Sequence, residues 1–313
     1  MATAKQIKSL VKAYVDGNDE KFITIVLQIA AYEAKLGHEK IACELKALVD
    51  MIGKKYGSIV QLNSINPMLE VSCPSYSLSE LVVNDGVYDR IKRILNEYRN
   101  RHKLRPYGHK DRRKILIEGY PGTGKTMTAH VIAYELKLPL YTVQMDKLAT
   151  ENIGETSAKL RQIFECMEVM IGVYLFDEFD AICADRSLDN EIGERRRILS
   201  SFLRSLEQDS SDSIIIAETN KSKMLDHALL RRFDDVLHYS LPSEKEIERL
   251  FVDVDCRVTD RLINAAHGLS QADISRVCKD AIKNSILTGE PITQQYVTDL
   301  LKERHDIYSN KEA

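Results

Sequence analysis

The sequence predicts an α/β fold: a parallel five-stranded sheet flanked by helices, followed by a small helical lid and preceded by a small helical module. Three observations carry this expectation. Short apolar runs alternate with helical patterns between residues 81 and 241, an order that builds a parallel sheet with ligands at the carboxyl ends of the strands. One strand-to-helix junction is the glycine-rich stretch GYPGTGKT, Gly119 to Thr126. After Ser243 strand signals cease, and helical patterns continue to the C-terminal region.

Residues 1 to 55 read as two or three helices. Gly17-Asn18-Asp19 and Gly37 mark stops and fresh starts, while Phe22, Ile25, Val26, Ile29 and Ala30 recur at helical spacing. So small a segment buries little surface alone. It either packs on its own body or docks a protein partner. Residues 56 to 78 lack periodicity, carry Pro67 and Pro74, and read as a linker. Leu81 to Val83 is a brief apolar run ending at Asn84-Asp85-Gly86, and a basic helix follows from Val87 to about His102. The predicted strands are Ile115–Ile117, Leu138–Met145, Ile171–Phe176, Ser213–Ala217 and Val236–Leu241. Helices are expected at Met127–Leu136, Ser157–Met167 and Asn190–Glu207. In the lid they are expected at Glu244–Val252, Asp260–Ala266, Ala272–Leu287 and Thr293–Arg304.

GYPGTGKT fits G-x-x-x-x-G-K-[ST] at every fixed position, in the required strand–loop–helix context. Glycines let backbone N–H groups turn inward around phosphate oxygens, and the following helix offers its positive end to the same anion. The expected phosphate-binding loop comprises Gly119, Tyr120, Pro121, Gly122, Thr123, Gly124, Lys125, Thr126 and Met127. Lys125 would reach the β- and γ-phosphates, and the Thr126 hydroxyl would hold Mg²⁺. The apolar run ending at Phe176 aims Asp177-Glu178 at the same place. The first carboxylate suits the metal and the second suits activation of water. ATP and Mg²⁺ are therefore the expected ligands.

Composition narrows the setting. The chain has 313 residues, 44% hydrophobic and 29% charged, with net charge −3, values ordinary for a globular protein and unfavourable to a general polyanion binder. Six cysteines are scattered without a CxxC pair, so thiols in a reducing compartment are expected. No apolar run approaches the roughly 20 residues needed to span a bilayer. A cytoplasmic location is the expectation.

Together these motifs resemble the AAA family of P-loop ATPases, from about Leu81 to the C-terminus. GYPGTGKT stands for its Walker A motif and VYLFDEFDAI, Val173 to Ile182, for its Walker B. IIIAETN, Ile214 to Asn220, resembles the sensor-1 strand, which makes Asn220 the residue placing the attacking water. LDHALLRRFD, Leu225 to Asp234, resembles the end of the second region of homology, with Arg231 and Arg232 as paired arginine fingers. A surface ion pair with Asp234 or Asp235 is the alternative use of these arginines. GLSQADISRVCKDA, Gly268 to Ala281, is similar to the lid sequence and puts Gln271 and Ala272 near the adenine. The resemblance implies a nucleotide-binding domain over 79–242, a lid over 243–313, and a homo-oligomer in the form of a hexameric ring. Three positions depart from the family pattern. Asn152 stands where a pore-loop aromatic is usual, Tyr120 where proline is usual, and Glu218 where alanine is usual. The sequence offers no physical reason for Glu218. The first 55 residues resemble both the helical modules before bacterial AAA ATPases encoded beside subtilisin-like proteases and the substrate-docking modules of ESCRT-disassembling relatives.

Three functions follow. The first is an ATPase that remodels a protein partner recruited by the N-terminal helices. The second is an ATP-dependent switch gating a partner such as a protease, without threading, as the missing aromatic at Asn152 suggests. The third is a nucleic-acid loader, supported only by the basic helix around Arg99-Asn100-Arg101 and opposed by the acidic balance.

Overall fold

The computed structural model describes residues 68–148, 153–179, 189–220, 227–252, 254 and 258–309, with a few positions in the first 67. The chain divides into two compact units, residues 1–67 and 68–313. In the first unit Ile25, Val26 and Ile29 are helical and buried, on the spacing expected of them. The predicted limits of that module lie outside the described residues.

The second unit is built on a six-stranded sheet, one strand more than expected. β1 (Leu69–Ser72) pairs antiparallel with β3 (Leu140–Val143) at one edge. The five parallel strands stand where the alternation put them, although their ends shift by a few residues. Besides β3 they are β2 (Lys114–Gly119), β4 (Val173–Phe176), β5 (Ile214–Thr219) and β6 (Asp235–Tyr239). The order is β1-β3-β4-β5-β2-β6. The expected linker 56–78 is thus corrected over its last third. LEVS forms an edge strand because the backbone of β3 offers it a ladder, which needs no long apolar pattern.

Central strands read as continuous apolar runs because both faces are covered. Ile115, Leu116, Ile117, Ile214, Ile215 and Ile216 are all fully buried. One face receives α1 (Asp85–Arg99), through Val87, Ile91, Ile94, Leu95 and Tyr98, beside α3 (Lys125–Leu136), through Ala129, Val131 and Ile132. Helix α1 starts at Asn84, whose side chain accepts the Val87 N–H at 2.9 Å, and closes at Asn100. A separate turn, α2 (Arg101–Leu104), follows. The chain then adds α4 (Met145–Leu148), α5 (Ile153–Val169) and α6 (Asp189–Gln208). Phe176 and Phe202 meet edge to face, 5.0 Å between ring centroids, and pin α6 to the sheet.

After the short α7 (His227–Leu230) and β6, four helices build a second core. They are α8 (Glu244–Leu250), α9 (Asp260–Ala266), α10 (Gln271–Thr288) and α11 (Gln294–Ser309). Ile247, Phe251, Leu262, Ile274, Val297 and Leu301 form its centre. Among the described residues no helix is long and apolar enough to cross a membrane.

Candidate nucleotide site

The phosphate loop leaves β2 at Gly119 and enters α3 at Lys125. Gly119 has φ +149°, and a Cβ there would lie 2.1 Å from the carbonyl oxygen of Tyr239 on β6. Only glycine permits that approach. Replacing Gly119 with alanine should cost about 3 kcal/mol through overpacking, read as a lower midpoint in urea denaturation; an unchanged midpoint would contradict the packing described. Inside the loop, Lys125 Nζ donates to the carbonyls of Gly119 and Tyr120, at 3.1 and 2.7 Å, and to Asn220 Oδ1 at 2.8 Å. Thr123 Oγ1 also donates to the Tyr120 carbonyl. Tyr120 therefore does through its backbone what the loop needs, while its ring stays exposed.

The tips of β4 and β5 close the phosphate side. A cavity of about 210 Å³ is lined by Lys125, Thr126, Asp177, Glu178, Glu218 and Asn220, among others. Glu178 has φ +49°, a left-handed backbone that an ordinary side chain adopts at a cost of about 1 kcal/mol or more. The turn is held from both sides. The Glu178 N–H donates to Asp177 Oδ1 at 2.7 Å, and the Phe179 N–H donates to the Glu218 carbonyl at 2.8 Å. Phe179 itself is fully buried against Phe202. This brings the expected metal residues, Thr126 and Asp177, to the same space as Glu178 and Asn220.

Glu218 is the surprise of the site. Its side chain is 2% exposed, its Oε2 accepts from the Thr126 hydroxyl at 2.9 Å, and its Oε1 has no partner. Burial first, then the neighbouring Asp177 charge, pushes its carboxyl up to about 8. Sequence inspection finds the residue but not the contact, which depends on β5 lying beside β2.

On the base side, a cavity of about 750 Å³ runs between Leu81, Val82 and Met127 on one wall and Leu250, Gln271 and Ala272 on the other. Gln271 is buried with Oε1 unpartnered. The Ala272 N–H donates to the Gly122 carbonyl at 2.9 Å, and a Cβ on Gly122 would meet the Ser270 hydroxyl at 2.6 Å. Leu81 and Val82 were legible only as an apolar pair before a helix cap. Their place opposite Gln271 is tertiary.

Arg231 and Arg232 stand apart. Neither is among the described residues lining the phosphate-side cavity of their own chain. Arg231 is exposed, and Arg232 forms an ion pair with Glu207 at the end of α6. The alternative pairing with Asp234 or Asp235 is overturned for Arg232. Asp234 Oδ2 instead accepts the Arg113 and Lys114 N–H groups that start β2, and Asp235 pairs with Arg90. Asn152 lies outside the described residues.

The loop, the paired carboxylates and a polar strand tip beside them define a P-loop nucleotide-binding protein. The profile of the ATPase family associated with various cellular activities (AAA) matches residues 115–241. An uncharacterized AAA family ATPase y4kL of Sinorhizobium fredii is 32% identical over 94% of this chain and 93% of its own length. A putative 26S proteasome regulatory subunit homolog of Methanothermobacter marburgensis is 31% identical over 61% of the chain, which spans 55% of that relative. The peroxisomal ATPase PEX6 of Saccharomyces cerevisiae is 31% identical over 64% of the chain, which spans 22% of it. In fold, the FIGL-1 AAA domain superposes with a TM-score of 0.59 at 20% identity, covering 82% of this chain and 94% of that one. The chain belongs to the AAA family of ATPases: it binds nucleotide and hydrolyses ATP.

Proposed function

We propose that this ATPase works as a homo-oligomeric ring that couples Mg·ATP hydrolysis to remodelling a protein partner recruited by the N-terminal helices. The observation that carries the reading is where the positive charge sits. The phosphate-side cavity draws a cation from its own chain only through Lys125 among the described residues, while Arg231 is exposed and is not among its lining residues. A guanidinium from a neighbouring copy would complete the site, as charge building on the transferred phosphoryl group requires.

In this reading Gly119, Gly122, Gly124, Lys125 and Thr126 hold the phosphates, and Tyr120, Pro121, Thr123 and Met127 shape the loop. Gln271 and Ala272 face the base. Glu178 accepts a proton from the attacking water, which Asn220 orients while also holding Lys125 Nζ. The donor set fits Mg²⁺. Thr126 and Asp177 would hold it, one hydroxyl and one carboxylate lining the same cavity, as suits an ion that keeps waters and takes phosphate oxygens. Bound there, it would neutralise charge on the β- and γ-phosphates.

The nucleic-acid alternative is weakened, because two arginines of the basic segment it rested on are engaged within the chain. Arg99 pairs with Glu135, and Arg101 stacks 4.2 Å over the Tyr98 ring. The protease-gating switch keeps one argument, Asn152 in place of an aromatic, which provides little apolar grip on a threaded peptide.

The test is the specific ATPase rate as a function of protein concentration, followed beside the oligomer distribution. The rate per chain should rise with concentration and saturate as the oligomer fills. A constant rate in a strictly monomeric sample would refute the shared site.

A further inference from the structure

The phosphate-side cavity contains one carboxylate without a task in the hydrolysis assigned to Asp177, Glu178 and Asn220. Glu218 occupies the next-to-last position of β5, a strand otherwise apolar from Ile214 to Ala217. Its Oε1 is buried and unpartnered. Leaving a carboxylate oxygen in that state costs stability, so the residue is one that structure alone does not favour.

Two details of the geometry point to a cation. A hydroxyl has one proton and two lone pairs. With its proton directed to Glu218 Oε2, Thr126 has only lone pairs left for the cavity, the arrangement a metal ligand needs. Glu218 also lines the same cavity as Asp177. Mg²⁺ retains several of its waters, and the hydrogens of those waters seek carboxylate acceptors.

We propose that Glu218 is a positioning residue of the cation site: it fixes the Thr126 hydroxyl with its lone pairs toward the metal, and its Oε1 accepts a hydrogen bond from water that the metal carries. The inference rests on the Mg·ATP reading of this cavity and adds a second carboxylate beside Asp177. It also gives a task to a carboxyl group in a place where a small apolar side chain would pack without an orphaned oxygen.

The test is binding of a fluorescent, non-hydrolysable ATP analogue during a magnesium titration from EDTA. It compares the unmodified chain with Glu218→Gln and Glu218→Ala, with melting temperatures recorded without nucleotide. Both variants should need about ten- to hundredfold more Mg²⁺ for half-maximal enhancement, the usual cost of losing an outer partner of a metal ligand. Affinity in EDTA should not fall, and the nucleotide-free melting temperature should be equal or higher. Magnesium curves that superpose on the unmodified chain's would overturn the proposal. So would an equal loss of analogue affinity with and without Mg²⁺ alongside a lower melting temperature, since that pattern belongs to a structural prop. If the unmodified chain itself binds the analogue equally well in EDTA and Mg²⁺, the metal reading of the cavity fails first and this proposal with it.

Discussion

Replacing Arg231 and Arg232 with alanine should leave ATP bound while turnover falls by about 10³–10⁵-fold, the range a supplied or withdrawn arginine finger commands. Neither side chain lines the cavity of its own chain, so each pocket keeps the groups that hold its nucleotide. The decisive measurement is complementation. The arginine double variant retains an intact pocket and lacks donors; a Glu178→Gln chain retains donors and lacks its base. Mixed, the two should recover part of the activity, because pockets of the first would receive guanidinium groups from the second. No recovery in a co-assembled mixture would mean that the arginines act within one chain. Loss of the Arg232–Glu207 pair should matter little to stability, since that pair is partly exposed.

The second large effect is expected from Glu178→Gln alone. Removing the proton acceptor while preserving side-chain shape should slow hydrolysis by about 10²–10⁴-fold and leave ATP trapped. The backbone should tolerate the change. The left-handed turn at Glu178 is fixed by the Glu178 and Phe179 N–H groups and by the buried Phe179 ring, none of which involves the carboxylate. Single-turnover chemistry measured beside retained nucleotide checks both halves. A variant hydrolysing at the parental rate would assign the base elsewhere, with Asp177 and Glu218 the carboxylates nearest to hand.

Much of this site was legible in residue order because its parts are local. A phosphate loop must be glycine-rich and contiguous, and an apolar strand ending in Asp177-Glu178 declares its own direction. The parallel strands were legible for the same reason: burial on both faces leaves continuous apolar runs. What escaped was tertiary. LEVS is four residues between prolines, and nothing within it reveals that β3 would lend it a ladder. Helix α11 runs to Ser309, past the expected end at Arg304, because neighbours hold its last turn. His305 Nε2 donates to the Ala265 carbonyl, and the Tyr308 hydroxyl donates to Asp273. Glu218 was conspicuous as a residue and mute as to purpose, since Thr126 lies 92 positions away in the chain. The pairing of Arg232 with Glu207 was equally hidden, since the acidic neighbours in sequence, Asp234 and Asp235, are turned to the backbone of β2 and to Arg90.

The Ala272–Gly122 hydrogen bond ties the C-terminal helices to the phosphate loop, with Ser270 lying where a Cβ on Gly122 would be. Loop and helix start therefore share a joint. Were the loop to shift at Gly122 with that bond intact, the start of α10 would shift with it, and over an 18-residue rod a small pivot at the base becomes a larger sweep at the far tip.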